Sequence, residues 1–203
     1  MRLNTDKNTF GVKRLKTPIC LLILALISML ISGCAPLPIE NWKEEVQLSD
    51  SRIIVVEREL IFERGGGEWA RNPRGIKPAE HRIRFVYPEG SEKIIEWRSL
   101  KKFGDTFPEI PLILDFESGH PIVFSAAGLD ATSLAYSKYI YKNDLWVEEA
   151  LPEKFKERTT NLFIDTDVDM PKFVDMEAKR KSASEYHHPS LRQVGPTRKV
   201  SNN

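Results

Sequence analysis

The sequence predicts an all-β fold, built mainly of antiparallel hairpins that form a sandwich or a partly open barrel. Two observations predict it. Apolar and polar residues alternate in several segments, which is typical of strands with one buried face. Short stretches rich in Gly, Pro, Asn, Asp and Ser separate those segments, and this is the pattern of hairpins. Long helical segments do not alternate with the strands, so a parallel α/β sheet is not favoured.

The alternation is clearest in two segments. One face of residues 52–62 carries the apolar side chains of Ile54, Val56, Leu60 and Phe62. Arg58 is the one charged residue on that face. Residues 80–87 alternate in the same way, with His81, Ile83, Phe85 and Tyr87 on the apolar face. A period of two over these lengths predicts half-buried strands.

Turn-like stretches define four hairpins, at 43–62, 81–98, 111–125 and 136–149. Pro111–Phe116 and Ile122–Phe124 are apolar almost throughout. We expect these two segments to be more fully buried and to form the centre of the sheet. Pro152–Thr159 opens with proline, which is favoured at the first position of a helix. At most one or two short helices are therefore expected in the body of the protein.

The N-terminus has the parts of a secretory signal. A basic region containing Lys7, Lys13, Arg14 and Lys16 precedes the apolar stretch Ile19–Ile31. That stretch fits the roughly 7–15 apolar residues of a signal core, whereas a bilayer-spanning helix needs about 20. Prolines at 36 and 38 follow it and would stop a helix. A cleaved signal helix over residues 1–33 is predicted.

Ile31-Ser32-Gly33-Cys34 closes the apolar stretch and resembles the lipobox of bacterial lipoproteins. The resemblance implies that lipoprotein-processing enzymes acylate Cys34 and cleave before it, so that the protein is anchored in the lipid bilayer. In that family an Asp after the cysteine favours the inner membrane. Ala35 stands there, which implies the outer membrane, facing the periplasm. The alternative is an uncleaved signal anchor with an incidental cysteine.

The rest of the chain resembles small, uncharacterised lipoproteins of proteobacteria through the stretches GGGEWARNPRG and VGPTRK. This resemblance implies no activity and no functional residues. The lipobox, the strand pattern and the charge distribution together predict four regions: a signal peptide at 1–33, a lipidated tether at 34–42, a β-rich globular domain at 43–171, and a basic, partly disordered C-terminal tail at 172–203.

Charge and cysteine content exclude several classes of function. Residues 34–171 carry 18 basic and 25 acidic side chains, and residues 172–203 carry seven and three. An acidic body does not favour nucleic-acid binding. Cys20 would leave with the signal and Cys34 would carry lipid, so no disulfide or thiol nucleophile is expected after processing. No cofactor motif is found.

The connection between the first two hairpins is a candidate binding loop. It contains Arg64, Trp69, Arg71 and Arg74 around a run of glycines. No Gly-Lys-Ser/Thr follows the glycines, so it is not a P-loop. Three arginines and a tryptophan on a long loop suit an anionic or carbohydrate partner. The alternative is a flexible connector whose tryptophan packs back onto the sheet.

Three closely spaced aspartates are a candidate metal site. Asp165, Asp167 and Asp169 resemble the start of a calcium loop, but its sixth and twelfth positions are Met170 and Met176 instead of Gly and Glu. A solvated turn is the preferred interpretation, and no metal site is predicted.

Histidine and the basic tail give no stronger signal. His81 is interpreted as a core residue, and neither Gly-x-Ser-x-Gly nor His-Glu-x-x-His occurs, so no catalytic residue is predicted. Lys179-Arg180-Lys181 and Arg198-Lys199 suit an anionic lipid or wall polymer. A polar, partly disordered C-terminus is the preferred alternative.

The sequence therefore favours a membrane-anchored envelope lipoprotein that binds or inhibits a partner and is not an enzyme. An envelope protein, an envelope toxin or a wall polymer would be that partner. The alternative is an envelope hydrolase or carbohydrate-acting enzyme that uses carboxylates near the 64–75 loop.

Overall fold

A computed structural model describes residues 37–66, 75–103, 107–128, 135–153, 155, 158–164 and 170–184. The chain divides into two compact units, 1–36 and 37–203, and all described residues belong to the second. Within them, no helix combines the length and the apolar character needed to cross a membrane.

The described residues form eleven strands and one helix. These are β1 (Ile39–Gln47), β2 (Ile53–Arg64), β3 (Ile76–Val86), β4 (Ile94–Arg98), β5 (Lys102–Phe103), β6 (Phe107–Pro108), β7 (Ile110–Glu117), β8 (His120–Ala127), β9 (Ala135–Lys142), β10 (Leu145–Glu149), β11 (Phe173–Val174) and α1 (Met176–Ser184).

The strands form two main sheets and a small ribbon. The front sheet has the strand order β11-β1-β2-β3-β4, the back sheet has the order β10-β9-β8-β7, and β5 pairs with β6. All neighbours are antiparallel except β11, which runs parallel to β1. The all-β prediction is confirmed, and so are the four hairpins β1–β2, β3–β4, β7–β8 and β9–β10.

Two of the hairpin turns have the geometry that tight hairpins favour. Ser118 and Gly119 join β7 to β8 with φ angles of 51° and 80°, and Asn143 and Asp144 join β9 to β10 with φ angles of 51° and 63°. Two consecutive positive φ angles define a type I′ turn, whose twist matches that of the flanking strands. Gly, Asn and Asp adopt this conformation at low cost, which explains why the turn signals were visible in the sequence.

The main core lies between the two sheets, which makes the fold a sandwich. The inward side chains of both sheets meet there, including Val56, Ile83 and Trp97 from the front and Val123 and Tyr139 from the back. The Trp97 and Tyr139 rings lie 5.9 Å apart across the interface. Each such burial stabilises the fold by about 1.5–3 kcal/mol.

The back sheet is also buried on its outward face. Ile122, Phe124 and Ile140 form a second apolar cluster there with Phe155. The Phe124 and Phe155 rings are stacked, with centroids 5.0 Å apart and planes inclined by 21°. Burial on both faces explains the continuous apolar runs of β7 and β8, and it confirms that Pro111–Phe116 and Ile122–Phe124 are the more fully buried strands.

The outward face of the front sheet carries ion pairs instead of an apolar cluster. Four side chains on β2, β3 and β4 form what we call the charge ladder: Glu59, Arg82, Arg84 and Glu96. Arg82 Nη1 lies 2.8 Å from Glu59 Oε2, Arg84 Nη2 lies 3.1 Å from the same oxygen, and Arg84 also pairs with Glu96. The ladder links three strands across one face.

Asn161 joins the two sheets along one side of the sandwich. Its side chain accepts a hydrogen bond from Leu114 N at 2.9 Å and donates to Leu114 O at 2.7 Å. It also donates to Gln47 O in the front sheet at 2.9 Å. The amide therefore pairs with the edge of β7 as a neighbouring strand would.

Contacts between β4 and β10 join the sheets along the other side. Trp146 Nε1 donates to Glu96 O at 2.7 Å, and the pairs Lys93–Asp144 and Lys101–Glu148 cross the same gap. Side chains therefore connect the edge strands of the two sheets, and the described strands do not close into a barrel.

The ordered fold extends beyond the predicted boundaries of the globular domain at both ends. β1 begins at Ile39, inside the predicted 34–42 tether, and Trp42 is buried. Beyond residue 171, β11 pairs with β1, and α1 brings Lys179 into the interior. The sequence predicts a tether at 34–42 from its position after Cys34 and its two prolines, and a tail at 172–203 from its basic residues. The pairing of β11 with β1 explains why both segments extend the fold.

The helix predicted at Pro152–Thr159 is a tighter structure in its described part. Phe155 N donates to Pro152 O at 3.0 Å, and Arg158 N donates to Phe155 O at 3.2 Å. Bonds spanning three residues are those of a 3₁₀ turn. This arrangement places Phe155 against the back sheet and Arg158 beside β7.

Candidate functional site

Most residues singled out from the sequence lie outside the described residues. These are Cys34, Trp69, Arg71, Arg74, Asp165, Asp167 and Asp169. The lipidation, loop-binding and calcium interpretations at those positions therefore stay predictions. Arg64 is described: it is the exposed last residue of β2, where the candidate binding loop begins.

The two ends of that loop are held together by backbone and side-chain contacts. Gly65 N donates to Gly75 O at 2.9 Å, and Glu63 pairs with Lys77 at 3.1 Å and with Lys102 at 3.5 Å. Partial burial raises the pKa of Glu63, but the two lysines outweigh it and leave the pKa below its usual value. Two lysines therefore share the single carboxylate of Glu63, which leaves a net positive charge at the base of the loop. A positive charge there suits an anionic ligand.

A second polar cluster, not predicted from the sequence, centres on Asp115 in β7. This buried carboxylate accepts hydrogen bonds from Ser49 N at 3.2 Å, Ser49 Oγ at 3.0 Å and Phe116 N at 2.9 Å. Its other oxygen pairs with Arg158 Nη2. The cluster ties the β1–β2 turn and the Arg158 segment to the edge of the back sheet.

Arg158 stands between two grooves on the surface. Its guanidinium carbon lies 5.1 Å from the Phe124 ring centroid, which is a cation–π distance. A groove of about 450 Å³ on one side is mainly apolar and lined by Ile122, Pro152 and Phe155. A groove of about 320 Å³ on the other side has hydroxyl and amide groups in its lining, from Ser49, Thr159, Thr160 and Asn161. Both volumes fall in the range of small-ligand sites, about 300–1,000 Å³.

The Arg158 grooves combine three properties that binding surfaces use. The arginine side chain is 31% exposed and is oriented by Asp115, so little conformational entropy remains to be lost on binding. Apolar carbon lines both grooves, and the second groove adds hydroxyl groups. This arrangement can hold a side chain or a short segment of a partner, and we take it as the candidate functional site.

Glu109 is a further buried carboxylate, and its bonds indicate a structural role. It accepts hydrogen bonds from Leu100 N at 2.8 Å, Ser125 Oγ at 2.7 Å and the Tyr139 hydroxyl at 3.0 Å. Burial and the Glu109 charge raise the pKa of Tyr139, so the phenol stays protonated and keeps donating. A carboxylate with this many donors joins β8, β9 and the chain after β4.

The described histidines behave as structural residues. His81 is a core residue, as its position on the apolar face predicted, because its side chain is 1% exposed. Burial, with a smaller effect from the charge of Arg58, lowers its pKa to about 3, so it is neutral at neutral pH. His120 Nδ1 lies 3.2 Å from Tyr141 O at the end of the back sheet.

Metal binding has no support within the described part of the chain. No group of three or more His, Cys, Asp or Glu residues in it is arranged to hold a metal ion. The Asp165, Asp167 and Asp169 triplet lies outside that part.

The sequence indicates the buried charged residues only in part. Arg58 interrupts an apolar face, which indicates a buried charge. Arg158 and Asp115 are 43 residues apart, and no spacing rule connects them.

Comparisons with family models, with curated proteins and with solved structures find no match for this chain.

Proposed function

We propose that this protein is a lipid-anchored component of the bacterial envelope, attached through acylated Cys34 and facing the periplasm, and that its folded part binds a partner. The observation that carries the proposal is the lipobox-like Ile31-Ser32-Gly33-Cys34 behind a basic and then apolar segment. The expected membrane is the outer one, and the folded domain acts by binding and not by catalysis.

The start of the fold supports a short tether. Four residues, 35–38, separate Cys34 from the first residue of β1. A chain extends at most about 3.6 Å per residue, so the anchor would hold Ile39 within about 18 Å. Two or more acyl chains suffice for stable attachment to a bilayer. A partner would therefore meet this domain close to the membrane surface.

The buried carboxylates support binding over catalysis. Asp115, in the candidate site, and Glu109, in the core, are both buried, and each accepts hydrogen bonds from several donors. These bonds occupy the carboxylate oxygens and leave little capacity for contact with a substrate. The partner's most suitable contact surface is the pair of Arg158 grooves, and an envelope protein, including a toxin that this domain would inhibit, is the proposed partner.

The anchor is tested by replacing each cysteine in turn. We expect Cys34→Ala to abolish metabolic labelling with palmitate and to leave the precursor unprocessed, because only a thiol at that position can carry the lipid. Cys20→Ala is the matched control and should label and process normally. Normal labelling of Cys34→Ala would contradict the proposal.

The binding surface is tested by crosslinking in cells followed by purification of the protein. We expect a stoichiometric envelope protein to be recovered with the wild type and lost with Thr159→Arg, which fills the groove beside Thr159. Asn41→Arg introduces the same charge on an exposed position of β1 and should retain the partner. Recovery of wall polymer alone, or equal recovery with both variants, would contradict a protein partner in this groove.

A further inference from the structure

The two main sheets have four edge strands, and three of them are short or covered. β11 has two residues. On β7, the side chain of Asn161 bonds to Leu114 N and Leu114 O. On β4, Trp146 Nε1 donates to Glu96 O, at the middle of the strand. The fourth edge strand, β10, has five residues, and no described residue forms a backbone hydrogen bond with its outer edge.

The turn before β10 determines which of its backbone groups face outward. Because that turn has two residues, Lys142 and Leu145 on either side of it form a hydrogen-bonded pair. Hydrogen-bonded and non-hydrogen-bonded pairs alternate along antiparallel strands. The N–H and C=O groups of Trp146 and Glu148 therefore point away from β9, to the open edge of the sheet.

The carbonyl of Tyr141 supports this direction. Tyr141 lies opposite Trp146, and its oxygen is 3.2 Å from His120 Nδ1 in β8. The backbone of Tyr141 thus faces β8 and not β10, so Trp146 has no backbone partner in β9.

The side chains of β10 leave apolar surface at the same edge. Leu145 is 66% exposed and Val147 is 48% exposed. Val147 lies opposite Ile140, which lies opposite Ile122, and both isoleucines are buried in the second apolar cluster. Val147 is therefore the exposed end of an apolar row that crosses the back sheet. A strand added to β10 would cover it and would bond to the open backbone groups.

The order of residues along β10 makes the strand complementary to itself. In an antiparallel pair with Val147 opposite Val147 of a second copy, Trp146 lies opposite Glu148, and Leu145 lies opposite Glu149. All five residues of each strand are then paired. The N–H and C=O groups of Trp146 and Glu148 in the two copies bond to each other, which gives four hydrogen bonds.

Charge selects this register. No two glutamates face each other in it, whereas a pair centred on Glu148 would place like charges directly opposite, which is destabilising. A pair centred on Trp146 would extend into the turn. Each glutamate also has a lysine partner in its own chain: Glu148 pairs with Lys101, and Glu149 pairs with Lys138.

We propose that β10 pairs with β10 of a second copy, antiparallel and with Val147 at the two-fold axis, so that the two back sheets form one continuous sheet. The same surface of each copy forms the contact, as a two-fold symmetric dimer requires. Five residues from each copy make a small interface, so the two copies associate reversibly. The pairing needs neither the lipid anchor nor the Arg158 grooves.

Cysteine crosslinking tests the pairing and its register. The variants are made in the full chain with Cys20→Ala and Cys34→Ala, so that the introduced cysteine is the only thiol. Val147→Cys should form a disulfide-linked dimer on mild oxidation, because opposite residues of a non-hydrogen-bonded pair have Cα atoms about 4.5 Å apart.

Leu145→Cys is the matched control. The position is more exposed than Val147, but the two Leu145 Cα atoms would lie more than about 13 Å apart in this register. It should therefore not crosslink. Equal crosslinking of the two variants, or none with Val147→Cys, would overturn the proposal.

Proline at the open edge measures the contribution of the backbone. Glu148→Pro removes an N–H that faces outward, and edge strands tolerate proline at such positions. Two of the four hydrogen bonds are lost, so sedimentation equilibrium of the purified full chain in detergent should show a dimer at least about tenfold weaker than that of the wild type.

Glu148→Ala is the control for the lost side chain. It also removes the pair with Lys101 but keeps the N–H, so it should dimerise as the wild type does. A wild type that remains monomeric as its concentration rises, or equal dimerisation of the two Glu148 variants, would show that β10 does not pair with a second copy.

Discussion

The front and back sheets bury their side chains differently. The front sheet contributes one face to the core and covers the other with the charge ladder, whereas the back sheet is apolar on both faces. Charged pairs at a surface stabilise a protein by about 0–1 kcal/mol, and a large buried side chain contributes several times more. An outward-facing apolar contact in the back sheet therefore contributes more to the free energy of unfolding than an outward-facing ion pair in the front sheet.

The largest expected effect is in the back sheet. Phe124→Ala removes a ring that is fully buried and stacked on Phe155, and we expect it to lower the free energy of unfolding by about 3–5 kcal/mol. Urea denaturation measures the loss. Ile94→Ala, at a front-sheet position that is 62% exposed, should change it by less than about 0.5 kcal/mol. Similar losses for the two variants would contradict the comparison.

Loss of the Asn161 side chain, which joins the two sheets, should have the second largest effect on the free energy of unfolding. Asn161→Ala leaves Leu114 N, Leu114 O and Gln47 O without their side-chain partner, so a loss of about 2–4 kcal/mol is expected. Hydrogen exchange of the Leu114 amide should accelerate at the same time. Asn41→Ala removes an exposed amide on β1 and should leave both measurements unchanged. An unchanged exchange rate of the Leu114 amide in Asn161→Ala would show that other contacts hold the two sheets together.

Lowering the pH should reduce the free energy of unfolding because His81, on the inward face of the front sheet, is buried as a neutral side chain. Its pKa is about 3 in the folded protein, below the ordinary 6.5. The stability that neutral His81 contributes is therefore complete above pH 6.5 and is lost as the pH falls from 6.5 towards 3, by about 2 kcal/mol at pH 5.

Replacing the histidine isolates that effect. His81→Gln should flatten the dependence of the free energy of unfolding on pH between 6.5 and 5, whatever it costs at neutral pH. His120→Gln, in the back sheet, should keep the wild-type slope. A slope in His81→Gln equal to that of the wild type would assign the acid sensitivity to other groups.

The smallest expected effect is on the charge ladder. Glu59→Gln weakens the pairs with Arg82 and Arg84, and we expect a loss below about 1 kcal/mol. The loss should shrink in about 1 M salt, where the screening length is about 3 Å. A double-mutant cycle with Arg82→Gln measures the pair itself. If the coupling energy between Glu59 and Arg82 does not fall in high salt, the charge ladder is less exposed to solvent than a surface ion pair. That result would contradict the comparison of the two sheets.

The fold class could be predicted because strand periodicity and turn residues are local signals. Residues 52–62 alternate because one face meets the core, and Asn143-Asp144 marks a type I′ turn. The pairing of β11 with β1 could not be predicted in this way. It joins residues at opposite ends of the chain through a two-residue strand, and no local pattern encodes it.

The candidate site could not be predicted for the same reason, because Arg158 and Asp115 are 43 residues apart. The buried charges of the front sheet could be predicted in part. Arg58 stands out as the charge on an apolar face, but Lys179, which also pairs with Glu44, is interpreted from the sequence as part of a basic tail. A lysine among other basic residues has no local mark of burial. Only the fold shows that Glu44 reaches it, and that Arg158 meets Asp115.

Asn161 also has a consequence for association between copies of the protein. It pairs with Leu114 on β7, which is an edge strand of the back sheet. An uncovered edge exposes N–H and C=O groups that can pair with a strand from another molecule. The Asn161 side chain occupies two of these groups, and so it protects β7 from pairing with a second copy at that point.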